Sequence, residues 1–69
     1  MNNDLSDIDF RKRGEAYRRA LTYAEKMVTC ITASIDACDH EDIERADHFS
    51  KMALRHAMQA EKFLAEASG

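Results

Sequence analysis

Apolar residues recur at heptad spacing along two segments of the chain, and this pattern predicts two long helices. The first helix is predicted from about residue 7 to residue 38 and the second from about residue 40 to residue 67, with no proline in the sequence. In the first helix, apolar or small residues occupy most of heptad positions g, d, a and e, which are contiguous around a helix. A coiled-coil seam uses only positions a and d. We therefore expect one part of this wide arc to pack on the second helix and the rest on another chain.

The second helix carries small residues at most of its a and d positions, such as Ala46, Ala53 and Ala60. Small side chains let two backbones approach closely, so we predict that these positions face the first helix. A bulkier stripe lies beside them and is predicted to stay half-exposed in a single chain. The residues predicted to contact another chain are Tyr23, Cys30, Phe49, Met52, His56 and Phe63. The sequence leaves open whether that contact is with a second copy or with a target protein.

Polar residues predict where each helix begins, through an N-cap, an acid three residues later and a pair of hydrophobic-staple residues. In the first helix these are Ser6, Asp9, and the pair Leu5 and Phe10. In the second helix they are Asp39, Asp42, and the pair Cys38 and Ile43. The chain must then reverse within residues 37–40, which makes the two helices antiparallel. We predict a flexible N-terminus over residues 1–5 and a single helical-hairpin domain over residues 6–67.

The short chain favours self-association. Sixty-nine residues are close to the size at which one core barely offsets lost chain entropy, and small scaffolds add disulfides, metals or oligomerisation. Cys30 and Cys38 lie about 12 Å apart along one helix, too far for an intrachain bridge. We expect two buried thiols in a reducing cytosol, with a bridge between chains as the alternative. The predicted fold is an all-α antiparallel two-helix hairpin, assembled as a homodimeric four-helix bundle.

Charge is distributed unevenly, although the net charge is only −3. Residues 39–47 hold five acids against Arg45, whereas the first helix carries a basic stripe. The predicted anion-binding residues are Arg11, Lys12, Arg18, Arg19, Tyr23 and Lys26. Spaced cations bind phosphates, and an aromatic neighbour can stack on a base. The alternative is a solvated face in which Glu15 pairs with Arg18 and Arg19.

Other kinds of site find little support in the sequence. His40, Glu44 and His48 follow an i, i+4, i+8 spacing, but an acidic, solvated helix start explains each of them and no Glu-x-x-His pair accompanies them. There is no Gly-rich phosphate loop, Gly-x-Ser-x-Gly elbow or Cys-x-x-Cys pair. We therefore predict no enzymatic activity, catalytic residue, metal or cofactor. The acidic start and the absence of a long apolar run predict a cytoplasmic protein without signal peptide or membrane segment.

The length, the turn position and the basic residues of the first helix resemble those of repressor-of-primer-like helical hairpin regulators. That resemblance implies a dimeric four-helix bundle that binds RNA; it is architectural, covers most of the chain and carries over no functional residue. Size, acidity and the compact hairpin also resemble small phage-type helical-hairpin inhibitor proteins. We expect a small regulatory or inhibitory protein that binds a larger protein through its helix faces. The alternatives are an RNA- or nucleotide-binding hairpin that uses the basic stripe, and a purely structural bundle component.

Overall fold

The computed structural model describes the backbone of residues 3–69 and the side chains of residues 9–69, and it contains two helices. Helix α1 spans Asn3–Asp39 and helix α2 spans Ile43–Ser68. They pack against each other as an antiparallel hairpin whose Cα atoms extend over 62 × 13 × 10 Å. No strand occurs in residues 3–69. The all-α hairpin predicted from the heptad pattern is therefore confirmed.

Helix α1 begins at Asn3, earlier than the start predicted near Asp7. Ser6 lies inside the helix, so its prediction as the N-cap is wrong. The physical reason is that no proline or glycine interrupts residues 3–13, and acids near a helix start suit the positive end of its dipole. The side chain of Leu5, the predicted staple partner, lies outside the described residues. Met1 and Asn2 of the predicted flexible N-terminus lie outside them entirely.

The turn between the helices is closed by the two hydrogen bonds of a Schellman motif. The backbone N–H of Asp42 donates to the carbonyl of Ala37 at 2.8 Å, and that of Glu41 donates to the carbonyl of Cys38 at 3.0 Å. Glu41 adopts the left-handed conformation that this motif requires, with φ of 58°. Glycine is the usual residue there, and a side chain in this conformation carries a strain of about 1–2 kcal/mol.

Helix α2 begins three residues later than predicted because Asp42, not Asp39, is its N-cap. The Asp42 carboxylate accepts a hydrogen bond from the backbone N–H of Arg45 at 3.2 Å. Asp39 belongs to the last turn of α1, where it has no N-terminal N–H groups to cap. The predicted staple is also wrong, since Ile43 is 73% exposed and Cys38 is exposed as well.

Small residues form the seam between the helices. The buried side chains are Ala16, Ala20, Ser34 and Ala37 in α1, and Ala46, Ala53, Ala60 and Ala67 in α2. Half-buried side chains alternate with them, namely Tyr23, Met27 and Cys30 in α1 and Phe49, His56 and Phe63 in α2. Both helices therefore contribute heptad positions d and g. No large side chain of the described part is fully buried, so the core of the hairpin is mainly alanine.

Two serine hydroxyls link the helices within this seam. The Ser50 hydroxyl donates to the carbonyl of Ala46 at 2.7 Å, the Ser34 hydroxyl lies 3.0 Å from the same carbonyl, and the two hydroxyls are 2.8 Å apart. Only two hydroxyl hydrogens are available for these three contacts, so the contacts form one small hydrogen-bond network. Because Ser34 is buried, sliding one helix along the other would leave its hydroxyl unpaired, and the network therefore fixes the register.

Both cysteines are free thiols, as expected for two residues eight positions apart on one helix. Cys30 is half-buried beside the seam. Cys38 is exposed near the turn, so the prediction of two buried thiols is wrong for Cys38 and holds only in part for Cys30. The difference arises because Cys38 occupies heptad position a, which points away from a seam made of positions d and g.

Candidate functional site

One long side of the hairpin is apolar and uncovered, and we call it the apolar face. It comprises Phe10, Tyr17, Leu21, Val28, Ile31, Ile35, Ile43, Leu54 and Leu64. These residues occupy heptad positions a and e, roughly 110° around each helix from the seam, at 100° per residue. Antiparallel packing brings the a and e positions of both helices to the same side. Their exposed fractions run from 41% at Ile31 to 79% at Phe10, values that are high for so many neighbouring large side chains.

A groove of about 370 Å³ runs between the helices on the apolar face. Its walls include Met27, Ile31 and Ile35 from α1 and Leu54 and Ala57 from α2. The polar groups in it are the hydroxyls of the serine network, which are already committed to the Ala46 carbonyl and to each other. The groove therefore offers shape and apolar contact and has no polar group free for chemistry.

The opposite side of the seam is lined by stacked rings and cations, and we call it the aromatic–cationic face. It comprises Arg19, Tyr23, Lys26, Arg45, Phe49, Arg55, His56 and Phe63. The Tyr23 ring stacks on Phe63 with centroids 5.7 Å apart and an interplanar angle of 12°, and it lies 6.0 Å from the His56 ring. Through these contacts, the Tyr23 ring of α1 packs against two rings of α2 beside the alanine seam.

Three cations of the aromatic–cationic face lie over its rings. The Arg19 guanidinium is 5.7 Å from the Phe63 centroid, and the Lys26 ammonium is 5.0 Å from that of Tyr23. The Arg45 guanidinium lies 5.7 Å from the Phe49 centroid. Within residues 9–69 the ion pairs are Arg13–Asp9, His40–Asp36 and Lys51–Asp47. No cation of the aromatic–cationic face takes part in them, so its positive charge remains uncompensated at ion-pair distance.

The six residues predicted to contact another chain all lie half-buried on the aromatic–cationic side of the seam: Tyr23, Cys30, Phe49, Met52, His56 and Phe63. Three of them, the rings of Tyr23, His56 and Phe63, contact each other within the chain. The rings were expected to be left for another chain because the seam was expected at positions a and d of α2. The structure uses d and g instead. Their contact with a second chain stays a prediction.

The predicted anion-binding residues separate into two groups. Arg19, Tyr23 and Lys26 lie together on the aromatic–cationic face, and Lys12 shares a depression with Arg19 near the open end of the hairpin. Arg11 and Arg18 occupy positions 100° further around α1, on the outer flank. The structure therefore does not bring all six together. It adds Arg45 and Arg55 from α2, which the sequence pattern of one helix could not indicate.

The spaced residues His40, Glu44 and His48 do not share one helix, because His40 lies in the turn before α2. Its Nδ1 atom lies 2.8 Å from the Asp36 carbonyl oxygen and 3.6 Å from the Asp36 carboxylate. No group of three His, Cys, Asp or Glu side chains suited to a metal ion occurs in the described part of the chain. Neither described helix has a stretch that is long and apolar enough to cross a bilayer.

Comparisons of the chain with models of known families, with curated proteins and with solved structures found no match. The function is therefore inferred from the two faces of the hairpin.

Proposed function

We infer that the protein is a small non-enzymatic regulatory or inhibitory protein that acts by protein–protein interaction through its helix faces, and that it assembles as a homodimeric four-helix bundle. The observation that carries this proposal is the apolar face. Nine large side chains exposed at 41–79% leave on the order of 1,000 Å² uncovered per hairpin, at about 200 Å² for each large side chain. Typical stable interfaces bury about 800 Å² on each partner, so a second copy supplies a match in size.

The packing of the single hairpin supports the same conclusion. Its seam buries alanines and no large side chain fully, so one chain gains little hydrophobic stabilisation for two long ordered helices. A second hairpin laid on the apolar face would bury the isoleucines, leucines and Val28 of both chains. Each helix would then contact two neighbouring helices. An apolar arc of positions g, d, a and e is wide enough for both contacts.

Charges along the flanks favour an antiparallel arrangement of the two hairpins. The open end of α1 carries basic residues beside the apolar face, and the turn end carries acidic ones. They are Arg11 and Arg18 at the open end, and Asp39 and Glu44 at the turn end. Antiparallel hairpins place each acidic end along the basic end of the other copy, whereas parallel hairpins place like charges together.

The second candidate function is binding of RNA or a nucleotide, and it has one specific observation in its favour. Arg19 and Lys26 share a face with Tyr23 and are in none of the ion pairs of residues 9–69. Uncompensated cations beside an aromatic ring are a feature of phosphate and base recognition. This alternative uses the aromatic–cationic face, which a dimer formed through the apolar face leaves accessible.

Mass measurement by light scattering across a concentration series tests the proposed assembly. We expect twice the 7.9 kDa chain mass, and a melting temperature that rises with protein concentration because folding and association are linked. A mass of one chain with a concentration-independent melting temperature would contradict the dimer. The apolar face would then be assigned to a different protein target, and the four-helix bundle would be abandoned.

A further inference from the structure

The aromatic–cationic face lies on the side of the seam away from the apolar face, so a dimer formed through the apolar face leaves it open to a further partner. Its four cations are spread over both helices, with Arg19 and Lys26 on α1 and Arg45 and Arg55 on α2. Antiparallel pairing places Arg45 near the turn and Arg19 toward the open end. The positive charge therefore runs along much of the rod, and carboxylates join it at the open end, where Glu15 and Glu66 line the same depression as Arg19.

The cations on this face are positioned before any partner arrives. Arg19, Lys26 and Arg45 each lie 5.0–5.7 Å from a ring centroid, and those rings are held by the seam. A cation over a ring loses side-chain freedom on folding, so less remains to be lost on binding. In contrast, Arg13 and Lys51 elsewhere on the surface are already paired with carboxylates four residues away. Within residues 9–69, Arg19, Lys26 and Arg45 thus form no ion pair, so these ordered cations can pair with carboxylates of a partner.

The spacing of these cations is compatible with a helical partner. Arg19 and Lys26 are seven residues apart, which corresponds to about 10.5 Å along the helix axis. Carboxylates at heptad spacing on a second α-helix have the same repeat, so both cations can be matched in one register. Every third phosphate of a nucleic acid strand, at about 3.4 Å per phosphate along the axis, falls at nearly the same repeat, so the spacing fits both partners and the rings distinguish them.

The rings favour a helix over a nucleic acid. Base stacking needs an open ring face, but the Tyr23 ring already lies against Phe63 and beneath Lys26, and Phe63 has Arg19 over it. Half-buried ring edges remain, together with a depression of about 450 Å³ lined in part by Tyr23, Met52 and His56. Such a surface accepts small or branched aliphatic side chains lying between the carboxylates of a docked helix.

We propose that the aromatic–cationic face binds an acidic amphipathic α-helix of a partner protein, with carboxylates at heptad spacing on Arg19 and Lys26 and aliphatic side chains against the Tyr23–Phe63 rings. This proposal rests on the proposed function, since it names the class of protein that such a regulator would bind. It concerns a different face from the one that forms the dimer, so each of the two can fail alone.

The test measures binding of fluorescent probes by anisotropy at several salt concentrations. One probe is a helical peptide with Glu at every seventh position. A second has the same composition with its Glu residues spread around the helix, and a third is single-stranded polyuridine. The chain offers a matched pair of variants: Arg19→Gln with Lys26→Gln on the face, and Arg11→Gln with Arg18→Gln on the outer flank. Both pairs remove two charges from α1 at the same seven-residue spacing. Circular dichroism and light scattering check that each variant keeps its fold and mass.

We expect the heptad peptide to bind and the redistributed peptide to bind more weakly. The Arg19→Gln/Lys26→Gln pair should weaken binding about tenfold, since each exposed ion pair contributes a factor of about three. The Arg11→Gln/Arg18→Gln pair should leave binding of the heptad peptide unchanged. The proposal is overturned by tighter binding of polyuridine than of the peptide, by equal losses in both variant pairs, or by no binding of the peptide. Light scattering could also show an assembly larger than a dimer whose mass falls in the Arg19→Gln/Lys26→Gln variant. That result would overturn the proposal, because it would show that the face binds another copy of the chain.

Discussion

The apolar face and the aromatic–cationic face flank the same alanine seam, but they differ in what their side chains already contact. On the aromatic–cationic face, rings stack on each other across the two helices and cations lie over them. On the apolar face, Ile35 and Leu54 are 57% and 66% exposed and line an open groove. The rings of one face are thus packed largely within the chain, whereas the other face leaves most of its large apolar side chains exposed.

The largest expected effect comes from a charge placed on the apolar face. Ile31→Asp should lower the free energy of dimer unfolding by at least about 4 kcal/mol, since both copies lose a contact worth about 2 kcal/mol or more. The neighbouring Thr32 is exposed on the polar side of α1, and Thr32→Asp should change stability by no more than about 0.5 kcal/mol. Urea denaturation at matched concentrations, with light scattering, measures both. Equal effects of the two changes would remove the distinction between the faces.

The second largest loss of stability is expected from a change in the alanine seam, which lies between the two faces. Ala53 is 7% exposed between the helices, so Ala53→Leu should destabilise each chain by about 1–3 kcal/mol through overpacking. Ala65→Leu places the same side chain at an exposed position of α2 and is the control, with little change expected. Thermal unfolding followed by circular dichroism compares them. If Ala53→Leu were as stable as the control, the helices would not be closely packed at this layer.

A smaller loss of stability is expected on the aromatic–cationic face. Arg19→Gln together with Lys26→Gln removes two cation–π contacts, each worth about 0.5–1 kcal/mol at an exposed site. The mass in solution should not change, because these residues lie away from the apolar face. Urea denaturation and light scattering check the two parts of this prediction. Dissociation of the assembly by this pair would move the dimer contact to the aromatic–cationic face.

The turn provides a change that should affect neither face. Glu41→Gly relieves the left-handed strain at φ of 58° and should raise stability by about 1 kcal/mol. Glu41→Ala also removes the charge but keeps Cβ, so it should give no comparable gain. Both variants should retain the wild-type mass, and thermal unfolding measures the difference between them. A gain as large for Glu41→Ala would attribute the effect to charge in the acidic turn rather than to backbone strain.

The sequence was sufficient for the two helices and their antiparallel packing, because heptad repetition and a short polar turn are local features. The register of the seam was harder to predict. Positions g, d, a and e of α1 form one wide apolar arc, and any adjacent pair within it would satisfy the periodicity. The choice of d and g depends on how Phe49, His56 and Phe63 pack above the alanines of two helices together, which is a property of the pair.

The turn shows a second limit of sequence reasoning. Asp39 and Asp42 are both suitable N-caps, and each is followed three residues later by a polar or charged residue. The Schellman bonds decide between them, but they require Glu41 in a conformation that normally signals glycine or asparagine. Arg45 and Arg55 of the aromatic–cationic face were missed for a related reason, since they join Arg19 and Lys26 only after the helices are paired.

A spin-label distance measurement tests most directly whether a second copy covers the apolar face in antiparallel orientation. In a variant with Cys30→Ala, Cys38→Ala and His40→Cys, the label lies at an exposed position in the turn, outside the apolar face. Antiparallel hairpins overlapping along α2 should separate the two labels by about 40 Å, the length of a helix of its 26 residues. We expect this single long distance. A distance below about half that length would show parallel hairpins, and the absence of any distance between labels would show that no second copy is bound.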